Sequence, residues 1–241
     1  MATAIVLKRE IIKSRLINNI LGVSIFVVLT SLGAFVRIPL GFTPVPLTLQ
    51  TFFVLLSGAI LGSNLGLFSQ AGYLLLGAAG LPIFSGAGSG LLYLFGPTAG
   101  YLWGFIIASF VVGRLINSHL LKAKLTPSAS LTSVPSTLLA GTSVRPRPEE
   151  PFREGLGPEG GRVNPEFIEG LNFWSIFLYM SIANIILLLC GTLWLYLGLR
   201  FTIKQAILLG FLPFVAGDII KIIVAAHLYK NIQTRTKEIF S

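Results

Sequence analysis

The sequence predicts an all-α membrane protein: a bundle of six transmembrane helices with irregular outer loops and both termini in the cytoplasm. Three observations lead there. First, 54% of the 241 residues are hydrophobic and only 11% charged, with mean hydropathy +0.82, against roughly 25% charged in a soluble domain. Second, residues 38–113 and 170–199 contain no Asp, Glu, Lys, Arg or His, and such stretches belong in lipid rather than in a water-soluble core. Third, the basic residues are sorted. Lys8, Arg9, Lys13 and Arg15 precede the first apolar run, Arg114, Lys122, Lys124, Arg145, Arg147, Arg153 and Arg162 lie between the fourth and fifth, and Lys230, Arg235 and Lys237 end the chain. Arg37, Arg200 and Lys204 fall on the other side and Lys221 inside, so the positive-inside rule puts both termini in the cytoplasm.

The elements follow in order. The apolar run over 16–36 is longer than the roughly 7–15 residues of a secretory signal core, so it reads as a retained first span, about 18–36. Next comes GFTPVPLTLQ, residues 41–50, uncharged but broken by Pro44 and Pro46. Irregular backbone at membrane depth needs protein or a water-filled cavity against it. The segment is expected to cap a cavity, with Gln50 adding an amide as span 2 begins; the alternative is an ordinary outer loop. Span 2 (about 47–61) and span 3 (about 67–81) are separated by a glycine turn over 62–66, and both are short for a hydrocarbon core. Short, glycine-interrupted segments flank substrate sites in transporters. Within span 3, Gln70 is expected to bond a neighbouring helix, and Tyr73 either does the same or faces a pocket.

Residues 81–101, LPIFSGAGSGLLYLFGPTAGY, form a flexible uncharged loop whose glycines let backbone approach a ligand; the alternative is a hydrophobic hairpin. A phosphate cradle is excluded by the missing Lys-Ser/Thr ending. Span 4 is about 98–116. Residues 127–170 are rich in Ser, Pro, Gly, Arg and Glu, without an apolar face, and read as a disordered cytoplasmic loop within a single membrane domain, 1–241. Span 5 is about 173–197, bracketed by Trp174 and Trp194. A short helix over 205–212 precedes Pro213. Span 6 runs over 217–231, or starts earlier with a kink at Pro213.

The stretch GFLPFVAGDIIKIIVAAHLY, residues 210–229, carries the chemistry. Asp218 is the one aspartate of the chain and Lys221 follows three residues later, on the same helical face. Charge in an apolar segment marks a functional site by default; the alternative is a salt bridge that only ties two helices together. Asp218 is expected near its helix start, where the dipole favours a carboxylate. It could accept from ligand N–H groups, while Lys221 could meet a carboxylate or carbonyl. On this topology the proline segment, the glycine loop and the approach to Asp218 all face outward. A mostly apolar pocket with a few placed polar groups suits a small organic ligand. Cys190 alone excludes an intrachain disulfide and a multi-cysteine metal site. His227 has no second ligand nearby in sequence and reads as an interface side chain. No basic, aromatic-interleaved stripe points to nucleic acid, no metal or cofactor is expected, and no nucleotide motif is present.

Four stretches, GFTPVPLTLQTFFVLLSGAILG, YLLLGAAGLPIFSGAGSG, GPTAGYLWGF and LPFVAGDIIK, together resemble the BioY family, over residues 16–122 and 171–230. The family comprises the biotin-binding membrane subunits of energy-coupling-factor transporters. The resemblance implies a plasma-membrane, six-helix substrate-capture protein whose biotin site opens outward. It further implies a transmembrane coupling subunit and two ATPase subunits as partners, with lipid around it. Asp218 and Lys221 match the family's G-D-x-x-K, with the ureido N–H groups suited to Asp218 and the valerate carboxylate or ureido oxygen to Lys221. Gln50, Tyr73, Phe84, Gly86 and Tyr101 match further motif positions. The small-residue face of span 1, expected at the coupling contact, is interrupted by Val27, with Ser31 and Ala34 following. The competing readings are a solitary gradient-driven carrier, for which no inverted repeat is evident, and a membrane-embedded enzyme. Against the enzyme, Asp218 lacks a second carboxylate, a paired His or a nucleophile motif.

Overall fold

In the computed structural model, which describes residues 2–125 and 171–240, most of the charge-free sequence is helix, interrupted by the proline segment and the glycine loop. The helices are α1 (Ala2–Phe35), α2 (Gln50–Leu61), α3 (Ser63–Ala78), α4 (Ala99–Leu125), α5 (Phe173–Leu197), α6 (Ile203–Gly210) and α7 (Leu212–Phe240). Residues 1–120 and 170–241 cluster as one unit, which is the unit described here. A second, 121–169, lies outside the described residues apart from the end of α4, as does the loop expected over 127–170.

Among the described residues, four stretches are long and apolar enough to cross a membrane: Leu16–Phe35, Ala99–Leu120, Phe173–Leu197 and Ile203–Gln233. With 12 and 16 residues, α2 and α3 fall short of the roughly 20 that a hydrocarbon core needs. Aliphatic side chains such as Ile20 and Leu32 on α1, Leu189 and Leu193 on α5, and Ile220 and Val224 on α7 are exposed. A bilayer is the solvent that tolerates so much bare hydrocarbon.

The connections explain the helix ends. Pro39, Pro44 and Pro46 bar helix between α1 and α2. Instead β1 (Arg37–Ile38) pairs antiparallel with β2 (Leu47–Thr48), Arg37 opposite Thr48. Residues 47–48, expected in span 2, are therefore strand. The Leu49 amide donates to the carbonyls of Gly33 and Val36 at 3.2 and 3.1 Å, satisfying acceptors that the end of α1 leaves open. The turn expected over 62–66 is a single residue. Gly62, at φ 83°, reverses the chain in conformational space open to glycine, and Ser63 already starts α3. Its partner helices meet where side chains vanish: a Cβ on Gly58 of α2 would collide with the Ser109 carbonyl of α4.

Buried hydroxyls bond backward to their own helices, Ser57 to the Val54 carbonyl at 2.7 Å and Thr192 to that of Leu188 at 2.8 Å. Gln70 donates to Ser57 of α2 at 3.1 Å and lies 3.4 Å from the Thr30 hydroxyl of α1, a glue between helices as its sequence position suggested. The small-residue stripe of α1 also faces inward. Val27 and Ala34 are buried, and the half-buried Ser31 bonds the Val27 carbonyl at 2.8 Å. Packing within the chain covers Val27 and Ala34 and leaves Ser31 half-exposed.

Candidate ligand-binding site

The break between α6 and α7 shapes the site. Pro213 has no N–H to give the carbonyl of Leu209, and Phe214 bonds Phe211 rather than Gly210. Two carbonyls are thereby freed. The Thr43 hydroxyl, from the proline segment, donates to Leu209 O at 2.7 Å, and the Tyr101 hydroxyl of α4 donates to Gly210 O. One imino acid thus ties the proline segment and α4 to the start of α7. It also sets the start of the last helix, which begins at Leu212 rather than near Gly217.

Asp218 therefore sits in the second turn of α7 and not at its first residues, beyond the reach of the helix dipole expected to favour it. Side chains hold its charge instead. Lys221 Nζ lies 2.6 Å from Asp218 Oδ1, with the carboxylate buried and the ammonium mostly so. Thr51 Oγ1 donates to the same oxygen at 3.3 Å, and Asn184 Nδ2 of α5 donates to Oδ2 at 3.0 Å. Lys221 has three protons and three acceptors: Asp218, the Thr51 hydroxyl at 2.7 Å and the Thr48 carbonyl of β2 at 2.8 Å. A buried pair is tolerable when its other protons and lone pairs find partners; all three Lys221 protons do, and the Asp218 carboxylate takes donors from Lys221, Thr51 and Asn184, with room at Oδ2 for one more.

A cavity of about 40 Å³ opens beside this pair. The proline segment, the glycine loop and helices α2, α4, α5 and α7 all contribute to its wall, so the three unusual segments of the sequence do converge. Of the seven residues singled out from the sequence, Asp218, Lys221, Gln50 and Tyr101 line it. Tyr101 presents its ring, its hydroxyl being bonded to Gly210. The other three stand behind the wall. Tyr73 is fully buried, accepting from Gln50 Nε2 at 2.6 Å and donating to Ile83 O at 3.2 Å. Phe84 stacks on Tyr93, ring centroids 4.9 Å apart, and covers Gly77, where a Cβ would strike its ring. Gly86, at φ 76°, lies under the Arg37 guanidinium.

Sequence reasoning missed Thr48, Thr51, Asn184, Ser85 and Tyr93. The hydroxyl and amide residues are short polar side chains of a kind scattered through the spans, and only folding brings Thr51 and Asn184 to Asp218. Ser85 and Tyr93 lie inside the glycine loop that was singled out for its backbone, so that loop was their signal. Two larger apolar grooves, about 380 and 300 Å³, lie elsewhere. One holds His227 and Asn231 among Phe173, Ile223 and Leu228, and the other runs along Leu189, Leu193 and Ile203. Neither contains an Asp, Glu, Lys or Arg side chain, and both are edged by exposed aliphatics of the helix surfaces. Among the described residues no three His, Cys, Asp or Glu are grouped to hold a metal ion.

Comparison with known proteins extends this picture. The model of the BioY family matches residues 6–146 and 154–238. A protein named biotin transporter BioY from Thermotoga maritima is 34% identical over 209 residues, covering 87% of this chain and 92% of that one. The "Probable biotin transporter BioY" of Pyrococcus horikoshii is 50% identical over 91 residues, 38% of this chain and 55% of its own. Among solved structures, the S-component for biotin from an ECF-type ABC transporter superposes with a TM-score of 0.66. It covers 90% of this chain and 92% of that one at 19% identity, a likeness of fold.

Proposed function

The chain belongs to the BioY family, and from that premise we propose that it binds biotin in the cavity beside Asp218 and Lys221 and serves as the substrate-capture subunit of an energy-coupling-factor transporter. The family is one of transporters and not of enzymes. The observation that carries the reading is the buried Asp218–Lys221 ion pair in a cavity wall. A pair needed only to join helices gains nothing from bordering a cavity. Aromatic and aliphatic side chains, Phe105, Leu187, Leu188 and Phe214, form the rest of that wall and suit the thioether ring and valerate chain. The carboxylate of Asp218 suits the ureido N–H groups.

Ligand sites hold about 300–1,000 Å³, and this cavity holds about 40 Å³, so biotin binding requires its walls to part. The proline segment is held to the rest of the wall by the two-residue strand pair, the Leu49 amide on the end of α1, the Thr43–Leu209 bond and the Lys221–Thr48 bond. In our reading it caps an outward-facing site, the chain crosses the membrane six times with α2 and α3 as short spans, and both termini are cytoplasmic. A coupling subunit and two ATPases then supply the energy, since no nucleotide motif is found in the sequence. Isothermal titration of the detergent-purified protein with biotin and with close vitamins tests this. One-to-one binding of biotin in clear preference to the others is expected; no binding, or equal binding of the others, contradicts it.

A further inference from the structure

We propose that the groove between the start of α5 and the second half of α7 binds one anionic phospholipid, its phosphate on His227, Lys230 and Asn231 and an acyl chain along Phe173, Ile223 and Leu228. The site is separate from the capture of biotin, since none of these residues lines the Asp218 cavity. Its level in the membrane comes first. The apolar stretches Phe173–Leu197 and Ile203–Gln233 both reach a limit here, the first beginning at Phe173 and the second ending just past Asn231. The groove therefore opens at the level of the lipid headgroups. From Asn231 inward to Ile223 the helix descends about 12 Å, at ~1.5 Å per residue, so the floor of the groove runs into the hydrocarbon.

The chemistry of the groove is divided the same way. Its deep part is hydrocarbon: Ile223 and Leu228 are exposed, with Phe173 half-buried beside them. Its outer part is polar. His227 and Asn231 stand one helical turn apart and line the groove, and Lys230 flanks them on the adjoining face, all three exposed. Among the described residues none of these side chains makes a hydrogen bond or ion pair; the one salt bridge there is Asp218–Lys221. Together they offer an imidazole N–H, an amide NH2 and an ammonium to an acceptor that the protein does not supply. Phosphate oxygens are such acceptors, and bonds to them from a charged donor are the strong kind. The charge agrees. Residues 219–237 include Lys221, Lys230, Arg235 and Lys237 and no Asp or Glu, and basic residues at this level attract anionic lipid. Trp174, 75% exposed and with its ring 5.6 Å from that of Phe173, marks the same interface. Size selects a lipid chain over a partner helix: the groove holds about 380 Å³, whereas a helix with its side chains is about 10–12 Å across. The second groove, along Leu189, Leu193 and Ile203, has similar hydrocarbon but no nitrogen-bearing side chain.

The full-length protein is purified in a neutral detergent as wild type and as His227→Leu, Lys230→Met and Asn231→Leu, singly and combined. Each is titrated with phosphatidylglycerol and with phosphatidylcholine, and bound lipid is counted by native mass spectrometry. Wild type is expected to hold one phosphatidylglycerol at a lipid concentration about fivefold or more below that needed for phosphatidylcholine, the factor that one basic residue near an anionic headgroup supplies. The combined variant keeps the apolar floor and loses the donors, so it binds the two lipids alike. Each single variant loses part of the preference, and these carry the comparison should the combined variant not fold. Equal binding of both lipids by wild type overturns the assignment, as does an undiminished preference in the variants. Displacement of the lipid by an equal concentration of glycerol phosphate, which has the phosphate without the chains, overturns it in favour of a free anion. Wild-type dimers that become monomers in the variants, with lipid binding unchanged, overturn it in favour of a second copy of the chain.

Discussion

At the scale of single residues, the site is a problem in satisfying one carboxylate. Asp218 is 2% exposed and accepts from Lys221, Thr51 and Asn184. If ureido N–H groups bind there, Asp218→Asn removes a charged acceptor worth about 1.5–3 kcal/mol, and biotin affinity measured with radiolabelled ligand falls at least about tenfold; equal retention by both proteins rejects the contact. Asn184→Leu keeps the charge but strips Oδ2 of its donor. A buried acceptor left unpaired costs about 1–3 kcal/mol, so the melting temperature in detergent drops and biotin binding weakens with it. An unchanged melting temperature shows that the amide is dispensable. Asp218 and Lys221 were legible in the sequence because charge stands out against hydrocarbon. Thr51 and Asn184 were not, since their importance comes from meeting Asp218 across 167 and 34 residues of chain. Tyr73 and Phe84 matched motif positions yet stand behind the cavity wall, where they brace Gln50 and Tyr93. A motif records that a residue matters without saying whether it touches ligand or a neighbour.

Among the elements, span 5 was read to its ends, because an uninterrupted apolar run flanked by tryptophans has one interpretation. The strand pair at Arg37–Ile38 and Leu47–Thr48 was not foreseen: two residues carry no periodicity, and only the prolines around them hinted at extended chain. The break at Pro213 was legible as a possibility. Its consequence was not, because the hydroxyls of Thr43 and Tyr101 that answer the freed carbonyls come from distant segments. Glycine decides how closely the helices approach. Gly58 lets α2 lie against the Ser109 carbonyl of α4, so Gly58→Val forces the two apart. The expected loss is about 1–3 kcal/mol, the usual cost of overpacking, seen as a lower melting temperature with biotin present or absent. A variant as stable as wild type would show that the α2–α4 contact tolerates a wider spacing.

For the whole molecule, charge sorting and apolar surface describe the same object from outside and inside. Exposed aliphatics mark the faces that lipid covers, and the proline segment, glycine loop and α6–α7 break gather at the cavity, as their shared side in the predicted topology required. Since α2 and α3 are short, the proposed six crossings rest on the order of connections and not on helix length. Green fluorescent protein fused to the C-terminus should fluoresce in cells while alkaline phosphatase fused there stays inactive; the reverse would invert the topology. Replacing residues 127–170 with a short linker should leave biotin affinity unchanged, because the described residues already supply the cavity wall and the donors to Asp218; weaker binding by a folded deletion protein would give the loop a part in the site. The most direct test of the account is a structure of the protein crystallised with biotin. Density for the bicyclic ring against Asp218, between the proline segment and the glycine loop, is the result the account predicts. Biotin bound elsewhere, with the Asp218 cavity still closed at its present size, would contradict it.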